Sequence, residues 1–171
     1  QNSPASEPVE VSSDLPSGLQ DGFVLSKLVQ SRKPISGLVV SIGVSGPNQD
    51  PRSIPDSVHQ LIRSLMGPDD FGCQSGEGEF LLIYPRELGA GAQRKLAIIA
   101  ERLWDFQLRS MSSLSILFSW GGVEVNGTSI SDAISSATER MHETARNRKP
   151  AGVSNSAQAE IVSDASQRVA V

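Results

Sequence analysis

The sequence predicts an α/β fold, a mixed sheet with helices packed on it in the manner of a ferredoxin-like sandwich. Three observations point there. Gly37 to Val44, GLVVSIGV, is a nearly continuous apolar run, as expected of a central strand buried on both faces. Gly72 to Tyr84, GCQSGEGEFLLIY, places a glycine-rich turn between two strand-like flanks, Phe71 to Cys73 and Phe80 to Tyr84. Around these strands lie segments whose apolar residues recur at helical spacing, so strands and helices alternate along the chain.

Taken in order, Leu19 to Arg32 reads as a helix that gathers Phe23, Leu25, Leu28 and Val29 toward one side. The central strand and a loop, SGPNQDPRSIP, follow. Ser57 to Met66 then carries Val58, Leu61, Ile62 and Leu65 at i, i+3, i+4 and i+7, and Gly67-Pro68 ends that helix. Beyond the hairpin, Ala90 to Leu108 repeats the spacing through Leu96, Ile99, Ala100 and Leu103. Leu114 to Val125 is strand-like, and Gly121-Gly122 inside it suggests a bulge or bend. Ser129 to Arg148 opens on an S-x-x-D cap and sets Ile134, Ala137 and Met141 on one face. The expected order is helix, strand, helix, strand, strand, helix, strand, helix, with no internal repeat.

Residues 1 to 13 mix proline, serine and acid without periodicity and read as a flexible linker, and 150 to 171 read as a flexible tail, which leaves 14 to 149 as one domain. A length of 171 residues with 38% hydrophobic and 20% charged side chains suits one soluble domain with a real core. Because the first residue is Gln1, the chain is expected to be a piece of a longer protein. Fifteen basic against 19 acidic residues, net −4, with no long basic cluster, disfavour nucleic acid as a partner. No apolar run is long enough to span a bilayer, so no membrane contact by this segment is expected, and the cytoplasm is the expected location, with membership of a larger, membrane-anchored protein left open.

The single cysteine, Cys73, excludes an internal disulfide and reads as a small core residue. His59 and His142 lack carboxylates spaced for a zinc site and read as solvent-facing or capping. GVSG at Gly43 to Gly46 would need a glycine at Pro47 to be a nucleophile elbow, and GAGAQRK at Gly89 to Lys95 lacks P-loop spacing and reads as a helix start. Asn126-Gly127-Thr128 reads as a turn before the last helix rather than as a glycosylation sequon, and Trp104 and Trp120 as packed side chains.

The GEGEF run at Gly76 to Phe80 resembles the GGDEF signature of bacterial diguanylate cyclase domains, and other landmarks fall in the family's order. DLPSGL at Asp14 to Leu19 resembles its opening D-x-L-T-G-L. LVVSIGVSGPNQD resembles its first strand and loop, apolar-D-apolar-D-x-F-K-x-x-N-D. Ser119, Trp120 and Gly121 stand where the late strand reads S-I-G-V, and AISSATERMH resembles the last helix, L-x-x-A-D-x-A-M-Y, with Ala137 and Met141 retained. The likeness covers Asp14 to Lys149 and implies the mixed-sheet sandwich of the nucleotide-cyclase type.

The resemblance also implies a site that departs from the family's pattern. Active members make cyclic di-GMP from two GTP molecules, with a divalent metal held by carboxylates of the first strand and of the hairpin, because the attacking hydroxyl must lose a proton while triphosphate charge is neutralised. Here those ligand positions hold Ser41, Gly43 and Gly78. Glu77 occupies the second glycine position, where its charge would repel GTP, while Gly76, Glu79 and Phe80 match the signature. The family's Asn-Asp pair for guanine aligns with Gln49 and Asp50, and the segment from Asp50 to Asp70 is shorter than usual and lacks the G-H-x-x-G-D element. The feedback site's R-x-x-D falls on Gly67, Pro68, Asp69 and Asp70, an acid without its arginine.

The expectation is therefore a catalytically inactive GGDEF-like domain, a regulatory or protein-interaction module in bacterial signalling, with no metal and no cofactor. Its partner would be another protein or another domain of the same longer chain, and self-association as a homodimer stays open. So does a domain that binds a guanine nucleotide weakly, through Gln49, Asp50 and Glu79, without turning it over. Residual cyclase activity is the least favoured of the three.

Overall fold

The computed structural model describes residues 18–46, 54–112 and 115–147. The linker assigned to 1–13, the tail assigned to 150–171, and Gln49 and Asp50 lie outside them. In chain order the elements are β1 (Gly18–Gln20), α1 (Gly22–Ser31), β2 (Pro34–Ser45), α2 (Asp56–Ser64), β3 (Phe71–Gly76), β4 (Glu79–Tyr84), α3 (Ala90–Ser110), β5 (Leu117–Ser129) and α4 (Ile130–Asn147). One five-stranded sheet runs in the order β1-β3-β4-β2-β5, with β1 parallel to β3 and every other neighbour antiparallel. This is the expected mixed α/β sheet.

Helices cover both faces, which is why β2 is apolar without alternation. Leu38, Val40, Ile42 and Val44 face α2 and α3, packing with Val58, Leu61, Ile62, Leu96, Ile99 and Leu103. Val39 faces the opposite way, with Leu81, Ile83 and Val123, under α1 and α4. The spacing read for α2 and α3 is the spacing that is buried: Val58, Leu61, Ile62, Leu96, Ile99 and Leu103 are at most 8% exposed. In α1, by contrast, no residue is fully buried, and Phe23 stands 67% exposed with the Lys27 ammonium 4.9 Å above its ring.

Three local readings need correction. The first segment begins as a three-residue strand, Gly18–Gln20, before Asp21 caps α1 by accepting from the Phe23 and Val24 amides. Gly121-Gly122 makes no bulge, since the β2–β5 register runs unbroken there, Val40 opposite Gly122 and Ser41 opposite Gly121. The irregularity lies instead at Ile35/Ser36, opposite Asn126 to Thr128. Gly127, at φ 73°, is the extra residue, and its amide donates to Ser36 Oγ at 3.0 Å. Asn126-Gly127 thus kinks β5 from within instead of ending it. The helix start was legible, since the Asp132 amide donates to Ser129 Oγ at 3.2 Å.

Cys73 is a core residue, fully buried on β3. Burial, and behind it the charge of Asp21, pushes its thiol up from 9.0 to about 12. Tyr84, buried with its hydroxyl donating to the Leu65 carbonyl at 2.7 Å, is also pushed up, first by burial and then by Asp70 and Glu87. A raised acid keeps its proton in the folded state while the unfolded chain releases it, so stability should fall as pH rises above 9. The slope for Cys73 alone is up to about 1.4 kcal/mol per pH unit. Urea unfolding at pH 9.0 and 10.5 is expected to show the wild type losing about 2 kcal/mol more than Cys73→Ala. Parallel losses in the two proteins would contradict this.

Candidate functional site

The hairpin turn is formed by Glu77 and Gly78, and Gly78 adopts φ 68°, a conformation glycine takes without a Cβ penalty. One extra residue, Ser75, is accommodated on β3, where the register passes from Gln74 opposite Phe80 to Gly76 opposite Glu79. The turn is fixed to the sheet by the Val44 amide, which donates to the Gly78 carbonyl at 2.8 Å. Gly78 is buried and Glu77 exposed. Glu77 lines an open cleft of about 670 Å³ beside β1, with Gln20, Asp21, Gln74 and Gly76. Glu79, paired with Gly43 of β2, lies near α4.

Directly opposed residues of antiparallel strands share a face. Two rows therefore form under α4: Leu81, Ser41 and Gly121, then Glu79, Gly43 and Ser119. These rows hold the positions that the resemblance assigns to the first-strand carboxylates. Ser41 is 1% exposed, its hydroxyl 3.3 Å from Thr138 Oγ1 and 3.5 Å from Met141 Sδ. A Cβ on Gly43 would lie 2.8 Å from Ser119 Oγ and 3.1 Å from Met141 Sδ. Met141 itself is 2% exposed. The last helix fills the space above both positions.

Of the expected carboxylate partners, Glu79 alone is present among the described residues here, and its oxygen stands 4.0 Å from His142 Nε2. Both side chains are about a third to a half exposed, so the contact contributes well under 1 kcal/mol when the imidazole is protonated. His142 is exposed, as expected of a solvent-facing residue, and its 4.0 Å approach to Glu79 adds to that reading. Its position was legible only after the fact: His142 follows Met141, whose place in the last helix was retained, and lies four residues from Thr138, on one helical face. An open cleft of about 480 Å³ runs along that face, lined by Ile134, Ser135, Thr138, Glu139, His142 and Arg146. His59, read the same way, is instead partly buried, its ring edge-on to Phe80 at 5.6 Å.

The donor set does not fit the divalent metal that the resemblance implies. Mg²⁺ takes hard oxygen ligands in near-octahedral array. Ser41 is engaged with the helix above it, Gly43 and Gly78 carry no side chain, and no group of three or more His, Cys, Asp or Glu lies together among the described residues. At the position of the feedback site, Asp70 is committed locally, its carboxylate accepting from the Gly67 amide at 2.6 Å, while Asp69 stands 3.7 Å from Arg86 in the open. The structure thus brings Ser41, Gly43, Gly76, Glu77, Gly78, Glu79 and Phe80 to one end of the sheet and leaves Asp70 at the start of β3.

This mixed sheet, with its glycine hairpin and two-sided helical cover, is the fold of GGDEF domains. The GGDEF domain of DgcB from Caulobacter crescentus, in complex with c-di-GMP, superposes with a TM-score of 0.55 at 17% identity, covering 81% of this chain and 90% of that one. A second structure of the same protein, coiled coil and GGDEF domain together, gives 0.52 at 16% identity over 84% and 86% of the two chains. The active GGEEF domain of a diguanylate cyclase from Vibrio cholerae gives 0.51 at 16% identity over 72% and 83%. No protein-family model and no curated protein sequence matches the chain. No helix among the described residues is long and apolar enough to cross a membrane.

Proposed function

We propose that this domain is a catalytically inactive GGDEF-like module that regulates, or docks with, another protein or another domain of its own longer chain in bacterial signalling. The observation that carries the reading is the packing of α4 over Ser41 and Gly43. One of those positions offers a buried hydroxyl already bonded to Thr138, and at the other a Cβ would stand 2.8 Å from Ser119 Oγ and 3.1 Å from Met141 Sδ, so a side chain enters only if those two side chains shift. Catalysis by the family's chemistry requires carboxylates there to hold metal against triphosphate. Glu79 beside His142, about a third exposed, does not supply them.

A second reading, binding of a guanine nucleotide without turnover, draws on the open cleft along α4 and on the c-di-GMP held by the Caulobacter domain of the same fold. Against its feedback-site version stand Gly67 and Pro68 in place of an arginine and the engagement of Asp70 with its own loop. The purified chain is expected to form no cyclic di-GMP from GTP with either Mg²⁺ or Mn²⁺. Product above a no-enzyme control that disappears in Glu79→Ala would overturn the inactive reading. Calorimetric GTP titration with and without Mg²⁺ separates the other two, because tight binding would favour the nucleotide effector over the interaction module.

A further inference from the structure

Asn126-Gly127, the pair that kinks β5, holds chemistry that the fold itself does not use. A glycine after asparagine leaves its amide nitrogen unshielded by a Cβ, so that nitrogen can attack the side-chain carbonyl carbon of the preceding residue and close a five-membered imide. Among the chain's asparagines, Asn126 alone precedes a glycine. Where such an amide is bonded to a carbonyl across a strand ladder, it is held away from that attack. Here it is not. Gly127 is the extra residue between the pairing of Ser36 with Asn126 and that of Ile35 with Thr128, at φ 73°, and its amide donates to the Ser36 hydroxyl at 3.0 Å.

The same hydroxyl touches the carbonyl that would be attacked. Ser36 Oγ donates to Asn126 Oδ1 at 3.1 Å, so one side chain accepts from the nucleophile's N–H and donates to the electrophile's oxygen. Asn126 and Gly127 are exposed, and no heavy atom beyond the chain neighbours lies within 4 Å of where a Cβ on Gly127 would stand, which leaves room for the ring and for water. We propose that Asn126 is a self-modifying site, cyclising onto the Gly127 nitrogen with Ser36 as the proton relay. As the Gly127 nitrogen bonds to Asn126 Cγ, its proton passes to Ser36 Oγ and the Ser36 hydroxyl proton passes to Oδ1, which gives a neutral tetrahedral carbon. The bond from Cγ to the side-chain nitrogen then breaks, the proton on Oδ1 leaves with that nitrogen as ammonia, and the carbonyl re-forms in the imide. Water opens the ring at either carbonyl, to aspartate or to isoaspartate. Both products add a negative charge to a chain of net −4, and isoaspartate lengthens the main chain of β5 by one carbon where the bulge already breaks the register.

The test ages the full 171-residue chain at neutral pH, folded and in urea. The tryptic peptide from Ser110 to Arg140 contains Asn126 as its single asparagine, so its mass, and its methylation by an isoaspartyl methyltransferase, report on that position. The folded wild type is expected to be modified there, and folded Ser36→Ala about tenfold more slowly, a factor below the usual range for a positioned proton-transfer group because a hydroxyl is a weak base. Ser36→Thr, which keeps the hydroxyl, should restore the wild-type rate. In urea all three chains should react at one rate, because the relay exists only in the fold. An unmodified Asn126 in the folded wild type, under conditions that modify it in urea, would overturn the proposal, and that comparison stands whether or not the variants fold. Equal or faster reaction in folded Ser36→Ala would also overturn it, since Ser36 would then be a lock on the bulge instead of a relay.

Discussion

Ser41→Asp is expected to cost about 3–5 kcal/mol of stability at neutral pH and to bring no metal with it. Restoring the acid that the family carries on its first strand would be the natural repair if the site had merely lost a residue. The packing argues otherwise. Position 41 is 1% exposed, and its hydroxyl lies against Thr138 and Met141. A carboxylate there would lose its hydration beneath α4 and find one hydroxyl and a thioether in return. Burial raises the pKa of such a carboxyl in the folded state, so the unfolded chain ionises first as pH rises, and the penalty grows from about pH 4 upward. The gap between variant and wild type should accordingly narrow as pH falls toward 4. Adding Glu77→Gly and Gly78→Asp changes the turn but leaves α4 in place, so the triple variant should gain no Mg²⁺-dependent GTP binding. Urea unfolding at pH 7 and pH 4.5, with and without Mg²⁺, checks both points. Wild-type stability at pH 7, or a rise in melting temperature with Mg²⁺, would mean that the helix yields and that a vestigial metal pocket survives beneath it.

What could be read from the sequence follows from how local each signal is. The run at Leu38 to Val44 announces a strand covered on both faces because every side chain in it must leave water, and no partner needs to be known. The spacing in α2 and α3 works the same way, and the turn at Glu77-Gly78 was visible from glycine alone. Signals that depend on a neighbour were not legible. A strand of three residues at Gly18–Gln20 exists only because β3 pairs with it. Asn126-Gly127 looks like a terminal turn until Ser36 is found across the strand from it. The site shows the same division. The residue types at positions 41, 43 and 78 could be compared with the family's pattern directly, but the sequence did not show that Met141, retained from the last helix, fills the space above Ser41 and Gly43. Nor did it show Glu79 meeting His142 of the last helix. Gln49 and Asp50 lie outside the described residues and stay an expectation from the resemblance.

Gly121→Ala should be a strongly damaging small substitution beneath α4, and the reason connects the fold to the closed site. A Cβ at that position would fall 2.5 Å from Arg140 Cβ and 2.5 Å from the Met141 backbone nitrogen. Neither neighbour is the tip of a flexible side chain, so α4 as a whole would have to lift. Lifting it loosens the contacts that depend on its depth: Thr144 to the Trp120 carbonyl, Arg140 to the Gly122 carbonyl, and Met141 over Ser41. The two-glycine stretch in β5 thus serves close approach, with Gly121 admitting α4 on one face and Gly122 admitting Leu96 of α3 on the other, 2.9 Å from where a Cβ would stand. The expected loss is about 3 kcal/mol, or about 10 °C in melting temperature for a domain of this size. Gly91→Ala is the matched control, because that glycine lies in the first turn of α3 and meets only the Glu87 carboxylate, which can swing away. It should gain about 0.5 kcal/mol through helix propensity. Thermal unfolding of the two variants beside the wild type decides the matter. If Gly121→Ala melts within 2 °C or so of the wild type, α4 does not sit as close to β5 as its hydrogen bonds require, and the space above Ser41 and Gly43 is open to a ligand after all.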